Sequence, residues 1–134
     1  MRFPCEIIAT EYLPLVRKNM AHILKGKGYS QTQIANLLKV TQPVISGYLK
    51  TPPTQPRSVI EQVATEVAAS SIDLLLTNQL EQAIYSICSR CKSLRSQGPI
   101  CIIHKEIIPE LNQLEKPCTA CLSIPFKEKE KDLR

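Results

Sequence analysis

Residues 29–50, YSQTQIANLLKVTQPVISGYLK, decide how this chain folds. Their apolar positions follow neither a single helical stripe nor a strand alternation. Two short helices packed at a steep angle produce a different pattern. Counted from Gln31, burial is then required at the fourth, eighth, tenth, fifteenth and eighteenth positions, with a small residue at the fifth where the helices touch. The chain supplies Ile34, Leu38, Val40, Ile45 and Tyr48, and Ala35 at the close contact. Ser30 and Gln33 have the S-x-x-Q spacing of a capping box, which satisfies orphan amide donors at the start of the first helix. Thr41 has the chemistry of an N-cap for the second, and Pro43 falls in its first turn, where a missing N–H costs little. Lys39 occupies the turn where a glycine is usual, and a side chain at positive φ costs on the order of 1 kcal/mol. The segment reads as a helix-turn-helix. An ordinary pair of bundle helices is the competing reading, but it leaves the outward residues unexplained.

Those outward residues on the second helix are Thr41, Gln42, Pro43, Ser46, Gly47 and Lys50. The second helix of such a unit enters the major groove with its N-terminal residues against base edges. Gln42 has the chemistry to pair bidentately with adenine, and Thr41 and Ser46 can donate to or accept from several bases. Gly47 keeps one side of the helix low. Gln31, opening the first helix, is placed to meet a phosphate with help from the helix dipole.

Charge points the same way. Residues 1–57 hold eight Lys/Arg and two acids, a balance of +6, and residues 58–134 hold nine Lys/Arg and ten acids, a balance of −1. The net charge of +5 therefore comes from the segment that carries the motif. Neutralised phosphates dominate affinity for nucleic acid, so cations concentrated there suit DNA. Arg17, Lys18, Lys25, Lys27, Lys39 and Lys50 are the candidate phosphate contacts, and for any one of them a merely solvating role is the bland alternative.

With these residues in view, positions 1–50 resemble the lambda-repressor/Cro-type (XRE) helix-turn-helix domain. The opening FPCEIIATEYLPLVRKNMAHILKGKGYSQTQIANLLKVTQPVISGYL is similar to predicted archaeal transcriptional regulators in which this domain precedes a cysteine-bearing tail. The resemblance implies a sequence-specific regulator of double-stranded DNA, usually dimeric. It covers the first third of the chain firmly and the remainder loosely.

The organisation that follows is all-α. A five-helix-type helix-turn-helix domain (1–50) leads into a Pro-rich hinge (51–58), a helical segment (59–87), a small cysteine-rich metal-binding module (88–126) and a charged tail (127–134). Pro4–Thr10 and Leu13–Lys25 are expected helices, the second ended by Gly26 and Gly28. Leu15, Met20, Ile23 and Leu24 of that helix should face the motif. TPPTQPRS (51–58) carries three prolines, which remove donors and restrict the residues before them. Val59, Ile60, Val63, Val67 and Ala68 form one helical apolar face that Ser70-Ser71 should interrupt. Asn78 and Glu81 resemble a second capping box, with Leu80, Ala83, Ile84 and Ile87 lining a helix that ends around Cys88–Cys91. Residues 59–87 are assigned to contact between two copies of the chain, with cover of the chain's own motif as the competing assignment. No apolar stretch approaches the length of a membrane span and no leader pattern opens the chain, so a soluble, cytoplasmic protein is expected.

Five of six cysteines follow residue 87: Cys88-x2-Cys91, Cys101, and Cys118-x2-Cys121. Two C-x2-C pairs in an intracellular protein read as a metal site before disulfides, and in each pair the spacing lets both thiolates turn to one centre. The two pairs complete a tetrahedral set. Zinc is the default for four thiolates. Zinc knuckles commonly carry Gly just after the second cysteine, however, and here Lys92 and Leu122 stand in those places. Cys101 adds a fifth thiol as an alternative ligand. Ligands from helix ends and loops with one to spare suit an iron–sulfur cluster, which the reading slightly favours over Zn2+. Disulfides stay open as the hyperthermophile exception. His104 could ligate, support a ligand or lie on the surface. Cys5, beside apolar residues in PCEII, is expected to pack in the core. Neither C-x2-C follows a strand, His104 has no obvious acid partner and no Gly-rich phosphate loop is present. Neither catalysis nor a small-molecule substrate is therefore expected.

Overall fold

The fold, seen in a computed structural model that describes residues 3–96 and 99–110, is built from helices, with no strand among the described residues. Helix α1 spans Pro4–Ile7 and runs through a π-helical turn, Ile8–Tyr12, into α2, Leu13–Gly26. Two eight-residue helices follow, α3 (Gln31–Leu38) and α4 (Gln42–Leu49). Then come α5 (Val59–Leu76), α6 (Leu80–Ser96) and α7 (Pro99–Ile107).

The first two expected helices are thus one helical run with a widened turn between them. Pro14 supplies the reason. A proline inside a helix lacks its N–H, and its ring presses on the carbonyl four residues back, here that of Thr10. The π turn lies immediately before it, closed by the Leu13 N–H donating to the Ile8 carbonyl. The register of this run buries Ile7, Ile8 and Tyr12 and leaves Cys5 exposed, which corrects its expected place in the core.

Helix α2 ends as its glycines predict. Gly28 takes φ 95°, and the N–H groups of Gly28 and Tyr29 return to the carbonyls of Lys25 and Leu24 at 3.0 and 3.2 Å, a Schellman closure. Ser30 then opens α3 with a complete capping box: its hydroxyl accepts from the Gln33 N–H, and its own N–H donates to the Gln33 side chain. Lys39 ends α3 at φ 56°, ψ 40°. A side chain there is strained, partly offset by the lower entropy of an unfolded lysine relative to glycine. Lys39→Gly is therefore expected to stabilise the fold by about 0.5–1 kcal/mol, read as a raised urea midpoint. An unchanged or lower midpoint would show that Lys39 makes compensating contacts.

Helix α2 lies at the centre and packs against α3, α4 and α5. Its Val16, Met20, Ala21 and Leu24 share one core with Ile34, Ala35 and Ile45 and with Ile60, Ala64, Val67, Ala68 and Ile72 of α5. Leu15 and Ile23 are half-buried against that core. A buried Asn19 adds a polar tie, its amide donating to the Thr65 hydroxyl at 3.3 Å. The apolar face of α5 is therefore used within its own chain, the competing assignment for this helix. Val59, expected on that face, is 57% exposed.

Two expected interruptions are displaced. Helix α5 continues through Ser70-Ser71, where Ser70 returns its hydroxyl to the Val67 carbonyl and Ser71 is buried. Asn78 does not cap α6 from its start. It takes φ 60°, and the N–H groups of Asn78 and Gln79 return to the carbonyls of Leu75 and Leu74, closing α5 from behind. Asparagine tolerates the left-handed region well, so the same residue type serves either helix end.

Helix α6 likewise runs past Cys91 to Ser96, so Cys88-x2-Cys91 lies inside a helix and not at its end. Leu94 of α6 and Ile100 of α7 belong to the same core as α2 and α5, and α7 packs on α1. Residues 111–134 lie outside the described residues.

Candidate nucleic-acid interface

The residues nominated for base contact gather at one end of α4. Burial of Ile34, Ala35 and Ile45, with Leu38, Val40 and Tyr48 half-buried against them, seats α3 and α4 on α2. That register turns Thr41, Gln42, Pro43, Gly47 and Lys50 outward, with Ser46 half-buried beside them. Thr41 sits at the N-cap position in extended backbone, φ −80° and ψ 154°, yet its side chain makes no capping bond. Its hydroxyl is left for a ligand. Pro43 lies in the first turn of α4, as its fixed φ favours. A Cβ built on Gly47 would meet nothing within 4 Å, so this side of the helix is open to close approach.

Gln31 and Gln42 are coupled. The Gln42 amide donates to the Gln31 side-chain carbonyl at 2.5 Å, joining the first residue of α3 to the first residue of α4. An amide NH2 has two donors. The bridge uses one and leaves Gln42 with an N–H and its carbonyl oxygen, the pair an adenine edge requires. Gln31 keeps its own NH2 for a phosphate. This link needs α3 and α4 in their packed arrangement, and nothing in the one-dimensional pattern announces it.

The far end of α4 is also pinned. His22 on α2 donates from Nε2 to the Tyr48 carbonyl at 3.2 Å, one of the carbonyls a helix leaves unpaired at its C-terminus. A histidine inside the apolar pattern of α2 gave no sign of this role.

Among the candidate cations, Lys25, Lys27, Lys39 and Lys50 are exposed and Arg17 and Lys18 half-buried. Arg17 and Lys39 do more than face solvent. Both line an apolar groove of about 360 Å³ between α2, the 39–41 connection and α6, whose walls include Leu38, Val40, Leu80, Ile84, Ile87 and Cys88.

Of the candidate metal ligands, Cys88 and Cys91 are free thiols one turn apart on α6, the first exposed and the second half-buried. Burial pushes the Cys91 thiol pKa up, and the Arg95 guanidinium partly offsets it. Arg95 also donates to the Cys5 sulfur at 3.8 Å, so Cys5 stands at the same end of the molecule. The hydroxyl of the buried Tyr12 donates to the Ile87 carbonyl at 3.1 Å, and burial raises its pKa. His104 is half-buried on α7. Among the described residues no three His, Cys, Asp or Glu side chains converge on one point. Cys118, Cys121 and the side chain of Cys101 lie outside them.

No described helix is long and apolar enough to cross a membrane. Compared with known proteins, the chain matches no protein-family model, no curated protein and no solved structure.

Proposed function

We propose that this chain is a sequence-specific DNA-binding regulator that reads double-stranded DNA with α4 and binds a two-fold symmetric operator as a homodimer. The observation that carries the reading is the outward set at the start of α4, with Gln42 held by Gln31 and still able to offer one donor and one acceptor. Thr41, Gln42 and Ser46 read base edges in the major groove. Pro43 and Gly47 shape the approach. Gln31, Lys50, Arg17 and Lys18 neutralise or bond phosphates, which gives affinity without sequence preference. Enrichment from a random duplex pool tests this, followed by titration of the enriched sequence at several salt concentrations. A palindrome whose binding weakens steeply with salt supports the reading. Failure to enrich any sequence sinks it.

A metal centre on Cys88, Cys91, Cys118 and Cys121, with Cys101 as alternative ligand, belongs to the same proposal. Its support is limited to the donor chemistry: two free thiols share one side of α6 a single turn apart. An iron–sulfur cluster there would let the regulator respond to oxygen, redox state or iron supply. A structural Zn2+ would only staple the C-terminal residues, leaving them to bind another protein. Purification without oxygen, with iron, sulfide and zinc assayed per chain, separates the two. Absence of all three removes both.

A further inference from the structure

Helix α6 presents a stripe that its own chain does not cover. Ala83 and Leu94 are buried on the inner side of the helix. Glu81, Tyr85, Cys88 and Lys92, spaced by four, three and four residues, project from the opposite side, all exposed. Tyr85 is 75% exposed and the adjoining Ile84 51%. An aromatic ring that open to water, in a chain with two Phe, four Tyr and no Trp, is an uncommon use of apolar surface. Among the described residues neither Glu81 nor Lys92 has a hydrogen-bond or ion-pair partner within the chain.

The order of these residues is self-complementary. Two copies of α6 laid antiparallel about a two-fold axis between Ser86 and Ile87 set Glu81 of each against Lys92 of the other. The same axis sets Tyr85 of each against Cys88 of the other. A two-fold contact requires one patch that matches itself in this way. Shape adds to charge. Ile84 and Cys88 also line the apolar groove between α2 and α6, so each Tyr85 is brought to the mouth of the groove on the other copy. The stripe from 81 to 92 spans about 17 Å of helix, enough for two ion pairs flanking a central apolar contact.

We propose that this face of α6 is the homodimer contact, with Tyr85 as the side chain that enters the groove of the second copy. The assignment rests on the dimeric reading above and deepens it. It moves the contact within 59–87 from the face of α5, which is buried in its own chain, to the outer side of α6.

Sedimentation equilibrium of the full chain without DNA tests the pairing, with circular dichroism confirming that each surface variant is folded. The wild type is expected to be a dimer at micromolar concentration. Glu81→Lys and Lys92→Glu each place like charges together twice per dimer and are expected to weaken association about tenfold. The double variant restores the pairs with reversed polarity and is expected to regain wild-type association to within about threefold. Tyr85→Arg removes the central contact and weakens association by more than about thirtyfold. A monomeric wild type overturns the proposal and gives the groove to another occupant. A dimer indifferent to Tyr85→Arg, or a double variant no better than the singles, overturns it equally. The DNA reading stands or falls separately. A monomer that still selects one DNA sequence removes only the pairing, whereas a dimer rescued by the charge swap that selects none removes only the DNA reading.

Discussion

Replacing Ile45 with alanine is expected to destabilise the protein by about 2–5 kcal/mol, the cost of deleting a fully buried aliphatic side chain and leaving a cavity. Ile45 is the one side chain of α4 that is completely enclosed. A helix of eight residues is too short to persist alone in water, because its nucleation cost is spread over few hydrogen bonds. Helix α4 therefore exists because Ile45, with half-buried Tyr48 and Leu49, docks it on α2 and α3. Urea unfolding followed by circular dichroism measures the loss. Val44→Ala, one residue away and mostly in solvent, serves as the comparison and should change stability by less than about 1 kcal/mol. If both variants cost equally little, α4 is not anchored as described, and every statement about its outward face loses its footing.

Gln42→Ala should leave the fold nearly intact and remove discrimination at one base pair in each half-site. The lost bidentate contact is worth about 1–3 kcal/mol per half-site. Affinity for the enriched duplex falls accordingly, while affinity for random duplex, set by phosphates, stays as it was. Gln31→Ala separates the two duties of the pair. It removes the bridge but keeps the Gln42 amide, so its effect on discrimination should be the smaller one. A Gln42→Ala protein that binds both duplexes with unchanged affinity would show that α4 meets DNA through other residues, or not at all.

Legibility in the sequence followed the range of the interaction involved. The capping box at Ser30 and Gln33, the stop at Gly28 and the left-handed Lys39 are set by neighbours within a few positions, and all three appear where local chemistry places them. Boundaries failed where one residue type serves two purposes. Ser70-Ser71 looks like a break but returns a hydroxyl to its own helix, and Asn78 closes α5 when it could equally have opened α6. Cys5 and Val59 each sit in apolar company along the chain, but helix register decides which side faces the core, and both face away from it. Contacts between distant positions left no trace in any pattern. The Gln31–Gln42 bridge and the His22 bond to Tyr48 exist because α2, α3 and α4 meet at particular angles. The cysteine pairs were legible as chemistry, while their partners at 118 and 121 lie outside the described residues.

The seating of α1 on α7 bears on how the molecule is made. Helices α2, α3 and α4 find one another across short connections, the kind of contact that forms early. The contact of α1 with α7 joins segments at opposite ends of the described chain. During synthesis α1 must wait, its apolar Ile7 and Ile8 without their final cover, until α7 has been made. Loop closure over that length costs little more than over half of it, since the penalty grows only with the logarithm of length, but it is met last. A contact formed last and spread over two short helices is also the cheapest to undo, so local opening should begin there, ahead of the core around α2. Each such opening would free Cys5 from Arg95 while the α2–α4 unit remained folded.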